Sequence, residues 1–76
     1  MLESRQMQRI LVQSSVLKSV GYDAERSTLE IEFHDGTVYR YYGVSAIVHR
    51  DLLAAASIGQ YYAFFIKTSF RCERVA

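Results

Sequence analysis

Proline is absent from the chain, cysteine occurs once, at Cys72, and the four glycines, at positions 21, 36, 43 and 59, never cluster. A lone cysteine excludes an internal disulfide, and the lack of a disulfide framework fits a reducing cytoplasm. Scattered glycines leave no phosphate-cradling loop. No linker, repeat or low-complexity stretch divides the 76 residues, so one domain is expected. Long apolar runs are missing as well. The longest uncharged stretch, Leu52 to Ile66, is interrupted by Ser57, Gly59 and Gln60 and falls short of the roughly 18 apolar residues of a spanning helix. The opening "MLESRQMQR" is charged from its third residue and lacks the apolar segment of a signal peptide. A soluble, cytoplasmic protein without a membrane role is the expectation. Strong charge of either sign is lacking too. A formal net charge of +1 is far from the basic excess of a dedicated nucleic-acid binder, which leaves only a local basic patch as a route to that function.

What is present is apolar substance: hydrophobic residues make up 50% of the chain. That supports a compact core and argues against disorder, although so small a domain is marginally stable.

The stretch "TLEIEF" alternates strictly, with Leu29, Ile31 and Phe33 on one face and Glu30 and Glu32 on the other, the period of a half-buried strand. "VYRYY" follows after the turn signal "HDG". A two-residue Asp35-Gly36 turn would pair Phe33 with Val38 and put Arg40 on the face of Ile31. A three-residue loop with Gly36 left-handed pairs Ile31 with Tyr39, Leu29 with Tyr41 and Glu30 with Arg40. The second register separates apolar from charged residues and is preferred, because a slip of one residue moves every side chain to the other face. Upstream, "VLKSVGYD" is a weaker strand with Val20 and Tyr22 on the core face, and Gly21 loosens it or marks a bulge. The first dozen residues are ambiguous between a short helix and an extended arm.

After Val44 the period changes. "SAIVHRDLLAAA" places Ile47, Val48, Leu52, Ala55 and Ala56 along one side of a helix capped by Ser45, with His49, Arg50 and Asp51 toward water. Ser57 and Gln60 match a capping box, so a second helix starts at Ile58. Gly59 in its first turn suggests close approach of the two helices. A step of 100° per residue groups Ile58, Tyr62 and Phe65, puts Ile66 and Tyr61 at the edges, and leaves Phe64 and Lys67 on the opposite side. The expected fold is α+β: a small antiparallel meander of three or four strands, then two short helices packed on one face.

The elements "SSVLKSVGYD" (14–23), "LEIEFHDGTVYRYYGV" (29–44) and "LLAAASIGQYYAFFIK" (52–67) together resemble the KTSC domain family, small domains that stand alone or end some lysyl-tRNA synthetases. The likeness covers most of the chain. It implies the same small α+β fold and places recurrent apolar positions at Ile58, Tyr62, Ile66 and Phe70. Two positions depart from the family pattern: Ser45 stands where proline is usual, and Ala63 where asparagine is common. The resemblance brings no catalytic residues, and it implies nucleic-acid binding only by association with the synthetase. The corresponding division is an N-terminal arm or short element (1–13), the KTSC-like domain (14–71) and a C-terminal tail (72–76).

Catalytic and metal motifs are lacking. Ser14, Ser15, His34, Asp35 and His49 supply reactive types but no constellation, and two histidines with one cysteine lack ligand spacing. No enzyme, cofactor or metal is expected. The leading reading is a binding module for RNA or other nucleic acid, using Arg40, Tyr42, Arg50, Lys67 and Arg71 as a basic-aromatic surface. The alternative is a protein-interaction or homodimerising module using Tyr61 and Phe64.

Overall fold

The structure is a computed structural model, and it describes residues 7–76. The elements run in the order β1 (Arg9–Leu11), β2 (Leu17–Asp23), β3 (Thr28–Phe33), β4 (Val38–Tyr42), α1 (Ala46–Ala54), α2 (Ile58–Tyr61), a π-helical turn (Tyr62–Ile66) that continues α2, and β5 (Arg71–Arg74). One antiparallel sheet carries the strands in the order β1-β2-β3-β4-β5. The fold is the expected α+β, with a five-stranded sheet in place of three or four strands. The two extra strands are the short outer ones, which are exposed along their length and so show no alternation of buried and exposed residues. The first is an extended piece of the N-terminal arm; residues 1–6 lie outside the described residues. The second uses the expected tail, which runs on beside β4 until Val75 and Ala76 donate to the Val38 carbonyl at 2.8 and 3.3 Å.

The central hairpin has the three-residue-loop register: Ile31 faces Tyr39, Leu29 faces Tyr41 and Glu30 faces Arg40. Gly36 is left-handed at φ 91°, and Phe33 N–H donates to the Thr37 carbonyl at 2.9 Å. Val20 and Tyr22 face Ile31 and Leu29 across β2. Of the two alternatives at Gly21, a loosened strand or a bulge, the bulge is not there: the register shift of β2 lies between Leu17 and Ser19. Gly21 does something else. A Cβ there would sit 2.8 Å from Arg9 Cγ and 3.0 Å from the Gln8 carbonyl. Its bareness lets the Arg9 side chain cross β2 and bond the Glu30 carboxylate. Arg40 Nε donates to the other Glu30 oxygen at 2.9 Å. Glu30, expected at the surface, is therefore only 5% exposed. The Glu30 bond keeps Arg40 firmly charged.

On the other face, Leu17, Leu29, Ile31 and Tyr41 meet Val44, Leu52, Tyr62 and Ile66. Ser45 caps α1 by accepting from Val48 N–H, and Ser57 caps α2 by accepting from Gln60 N–H at 3.2 Å. The buried stripe of α1 is rotated from the expected one. Ile47 is 58% exposed, whereas Leu53 packs on the core and His49 stacks on the Tyr22 ring at 4.6 Å. Ala55 is already extended (ψ 144°), so Ala55 and Ala56 lie off the helix. Gly59 approaches the Ser14–Val16 segment, not α1: its Cβ would lie 3.0 Å from Val16 Cγ2.

The last helix departs most from a 100° projection. Lys67 N–H donates to the Tyr62 carbonyl at 2.9 Å, an i→i+5 bond. Such a turn holds one residue more than an α turn. Ile66 thereby returns beneath Tyr62 and is fully buried. Phe65, expected in the core, is turned out and 58% exposed.

Two outcomes follow from this packing. Glu30→Ala leaves Arg9 and Arg40 without their acceptor and should cost about 2–3 kcal/mol in urea unfolding, whereas Arg40→Ala, at the more exposed end, should cost about 1 kcal/mol or less; equal small losses would show that the carboxylate is not central. Burial lowers the His49 pKa below its ordinary 6.5. The unfolded chain then binds more protons below that pH, so this contribution is present above pH 6.5 and lost as pH falls through and below it. His49→Phe should flatten that part of the stability profile, measured as urea midpoints at about pH 7.5 and about pH 5.

Candidate functional site

Among the described residues, the helices cover one face of the sheet and leave the other open. Alternation along β4 sends Tyr39 and Tyr41 toward the helices and Arg40 and Tyr42 outward. β5 repeats the pattern in register, with Arg71 opposite Tyr42 and Glu73 opposite Arg40. The Arg71 guanidinium lies over the Tyr42 ring, 5.4 Å from its centroid, a cation–π arrangement. The Tyr42 hydroxyl donates to Glu73 at 3.0 Å. Partial desolvation, that hydrogen bond and the Glu73 charge together raise the hydroxyl's pKa. Beside the ring, Met7, Asp23, Arg26, Thr28, Arg40 and Tyr42 line a shallow hollow of 200 Å³. Desolvation pushes the Asp23 carboxyl up, but the amides of Arg26 and Glu25 that it accepts and the Arg26 guanidinium paired with it at 3.3 Å together outweigh that and hold it below the usual range.

Among the described residues, this face carries Arg9, Lys18, Arg26, Arg40 and Arg71 against Asp23, Glu30, Glu32 and Glu73, a single cation in excess. Lys18 sits 4.0 Å from Glu32, and Ser19 donates to the same carboxylate at 2.8 Å. Arg9 and Arg26 were not among the expected site residues. Arg9 lies in an ambiguous arm and Arg26 in a loop, where no periodicity assigns a face.

Three of the five expected basic and aromatic residues, Arg40, Tyr42 and Arg71, are brought together. The other two are not. Arg50 stands on α1, paired with Asp51 at 3.1 Å, and Lys67 follows the π-helical turn; both belong to the helical side. The exposed aromatics lie on that side too. Phe64 is 73% exposed, and Tyr61 packs against Phe65 with ring centroids 4.8 Å apart. The histidines have local partners: His34 Nε2 is 2.8 Å from the Ser14 carbonyl oxygen, and His49 stacks on Tyr22. Among the described residues no three His, Cys, Asp or Glu side chains gather as a metal site, and no helix is long and apolar enough to cross a membrane.

Comparison with known proteins places this geometry among relatives. The KTSC domain pattern matches residues 13–70. The chain is 46% identical over 56 residues to an uncharacterised protein of Stutzerimonas stutzeri, a match spanning 74% of this chain and 79% of that one. It is 41% identical over 64 residues to a lysine–tRNA ligase of Nostoc punctiforme, spanning 84% of this chain but 11% of the ligase. A crystal structure of a KTSC domain protein from Yersinia pestis superimposes with a TM-score of 0.88 at 38% identity, covering 93% of this chain and 100% of that one.

Proposed function

The chain belongs to the KTSC domain family, and we propose that it is a small non-enzymatic cytoplasmic module that binds nucleic acid, single-stranded RNA being the favoured ligand. The observation that carries this reading is the Tyr42 ring beneath the Arg71 guanidinium on the uncovered sheet face. An aromatic ring on an open sheet is a stacking platform for a base, and adjacent guanidinium groups meet phosphates. Arg71 can exchange the ring for a phosphate as a base arrives. Arg26 and Arg40 flank the ring around the same hollow. Likeness to a segment of lysine–tRNA ligases supports an RNA context.

The near balance of charge on this face makes the expected binding modest. With about three phosphate contacts, log affinity should fall against log salt with a slope of about −2. Anisotropy of a labelled single-stranded RNA should show that slope. Tyr42→Ala should weaken binding about 10-fold at every salt concentration, the loss of one stacked base. Arg71→Ala should also reduce the slope by about 0.7, and Arg50→Ala should change neither. Absence of binding at low salt with excess RNA or tRNA overturns the proposal, and losses confined to Arg50 and Lys67 variants overturn the choice of face.

A second reading has its own support, since the π-helical turn adds Phe65 to Phe64 and Tyr61 at the surface. These rings can meet a second copy or another protein. Phe64→Asp and Phe65→Asp should each leave stability within about 0.5 kcal/mol, as surface changes do, yet abolish self-association in sedimentation. A wild-type chain that stays monomeric at high concentration removes the homodimer.

A further inference from the structure

A groove opens on the helical side of the sheet, away from Tyr42. It holds 440 Å³ and is lined chiefly by Phe33, Tyr39, Tyr41 and Tyr62, with Lys67 and Cys72. That volume suits a small molecule, and the composition is that of a ligand site: mostly apolar walls with a few polar groups. The rings stand edge to face, Phe33 with Tyr62 at 5.5 Å, Phe33 with Tyr39 at 6.0 Å and Tyr41 with Tyr62 at 5.9 Å. Such a set offers faces and edges to one further ring.

Its polar groups carry an imbalance. The Tyr41 and Tyr62 hydroxyls are 2.6 Å apart and bond each other. Two hydroxyl protons serve one hydrogen bond, so one proton is left over. These residues are only 2% and 7% exposed, and no described side chain or carbonyl accepts that proton. Burial and the mutual bond also raise the Tyr41 pKa, and burial raises that of Tyr62, so both keep their protons near neutrality. Lys67 has no carboxylate within 4.0 Å among the described residues. The groove thus combines aromatic walls, a spare buried donor and a cation, with no anion among the described residues to meet them.

We propose that this groove binds a small aromatic carboxylate, the ring seated against Phe33, Tyr39 and Tyr62, and the carboxylate accepting from the spare tyrosine hydroxyl and from Lys67. A carboxylate is an acceptor only and has two oxygens, so it can serve both donors at once. The site is separate from the proposed RNA face and stands or falls independently of it.

The probe is 3-phenylpropionate, titrated into the ¹⁵N-labelled chain and followed by NMR, with 3-phenylpropanol as its neutral counterpart. Saturable millimolar binding is expected, moving the amide signals of Phe33, Tyr39, Lys67 and Cys72. The alcohol, and Lys67→Gln with the carboxylate, should each bind about 5-fold more weakly, the worth of one partly exposed charge interaction. Bound probe should also slow reaction of the Cys72 thiol with a disulfide reagent. Shifts that do not saturate, or that centre on Phe64 or on Tyr42, overturn the site. Equal binding of acid and alcohol overturns the anion preference.

Discussion

The Glu30 carboxylate, buried between Arg9 and Arg40, is the constraint on which the sheet depends. A buried carboxylate is costly unless its charge and lone pairs are met, and here they are met from both sides along one row that crosses all five strands: Arg9, Gly21, Glu30, Arg40, Glu73. Gly21 leaves the space through which Arg9 passes. A shift of one residue at either β2–β3 or β3–β4 would remove one guanidinium and set the charge against apolar neighbours. The row therefore favours a single register, and that register decides which side chains β4 and β5 present outward.

The two faces of the sheet serve different purposes as a result. One is closed by Leu52, Tyr62 and Ile66 from the helices. The other is wet, and its acids hold its bases in place. Tyr42 and Arg71 are positioned because β5 continues the β4 alternation without a break. The same strand pairing sets Cys72 opposite Tyr41 on the helical side, where it lines the aromatic groove.

The π-helical turn shapes the helical side. It brings Ile66 under Tyr62 and puts Phe64 and Phe65 in solvent. The apolar positions that the family resemblance implied, Ile58, Tyr62, Ile66 and Phe70, are spaced by four throughout. In the structure all four are buried or packed on the core. That spacing drifts around an α-helix but stays on one side of a wider turn, so the positions carried the geometry that a fixed 100° step missed. The candidate interface was legible only in part for a related reason. Arg40 and Tyr42 could be given a face because strand alternation is local. Arg50 and Lys67 could not be placed relative to them, since helices and sheet meet only through the core.

The sequence by itself determined the elements whose causes lie within a few residues. Alternation in "TLEIEF" and "VYRYY", the left-handed Gly36 loop, the Glu30–Arg40 pair and the Ser45 and Ser57 caps are all short-range and all present. Tertiary structure alone decided the outer strands, the burial of Glu30 by Arg9, the rotation of α1 toward the Tyr22–His49 stack, and the role of Gly59 against Val16. Each of these is settled by contact between residues distant in sequence. Their energies arise from desolvation and packing at that contact, and no local propensity records them.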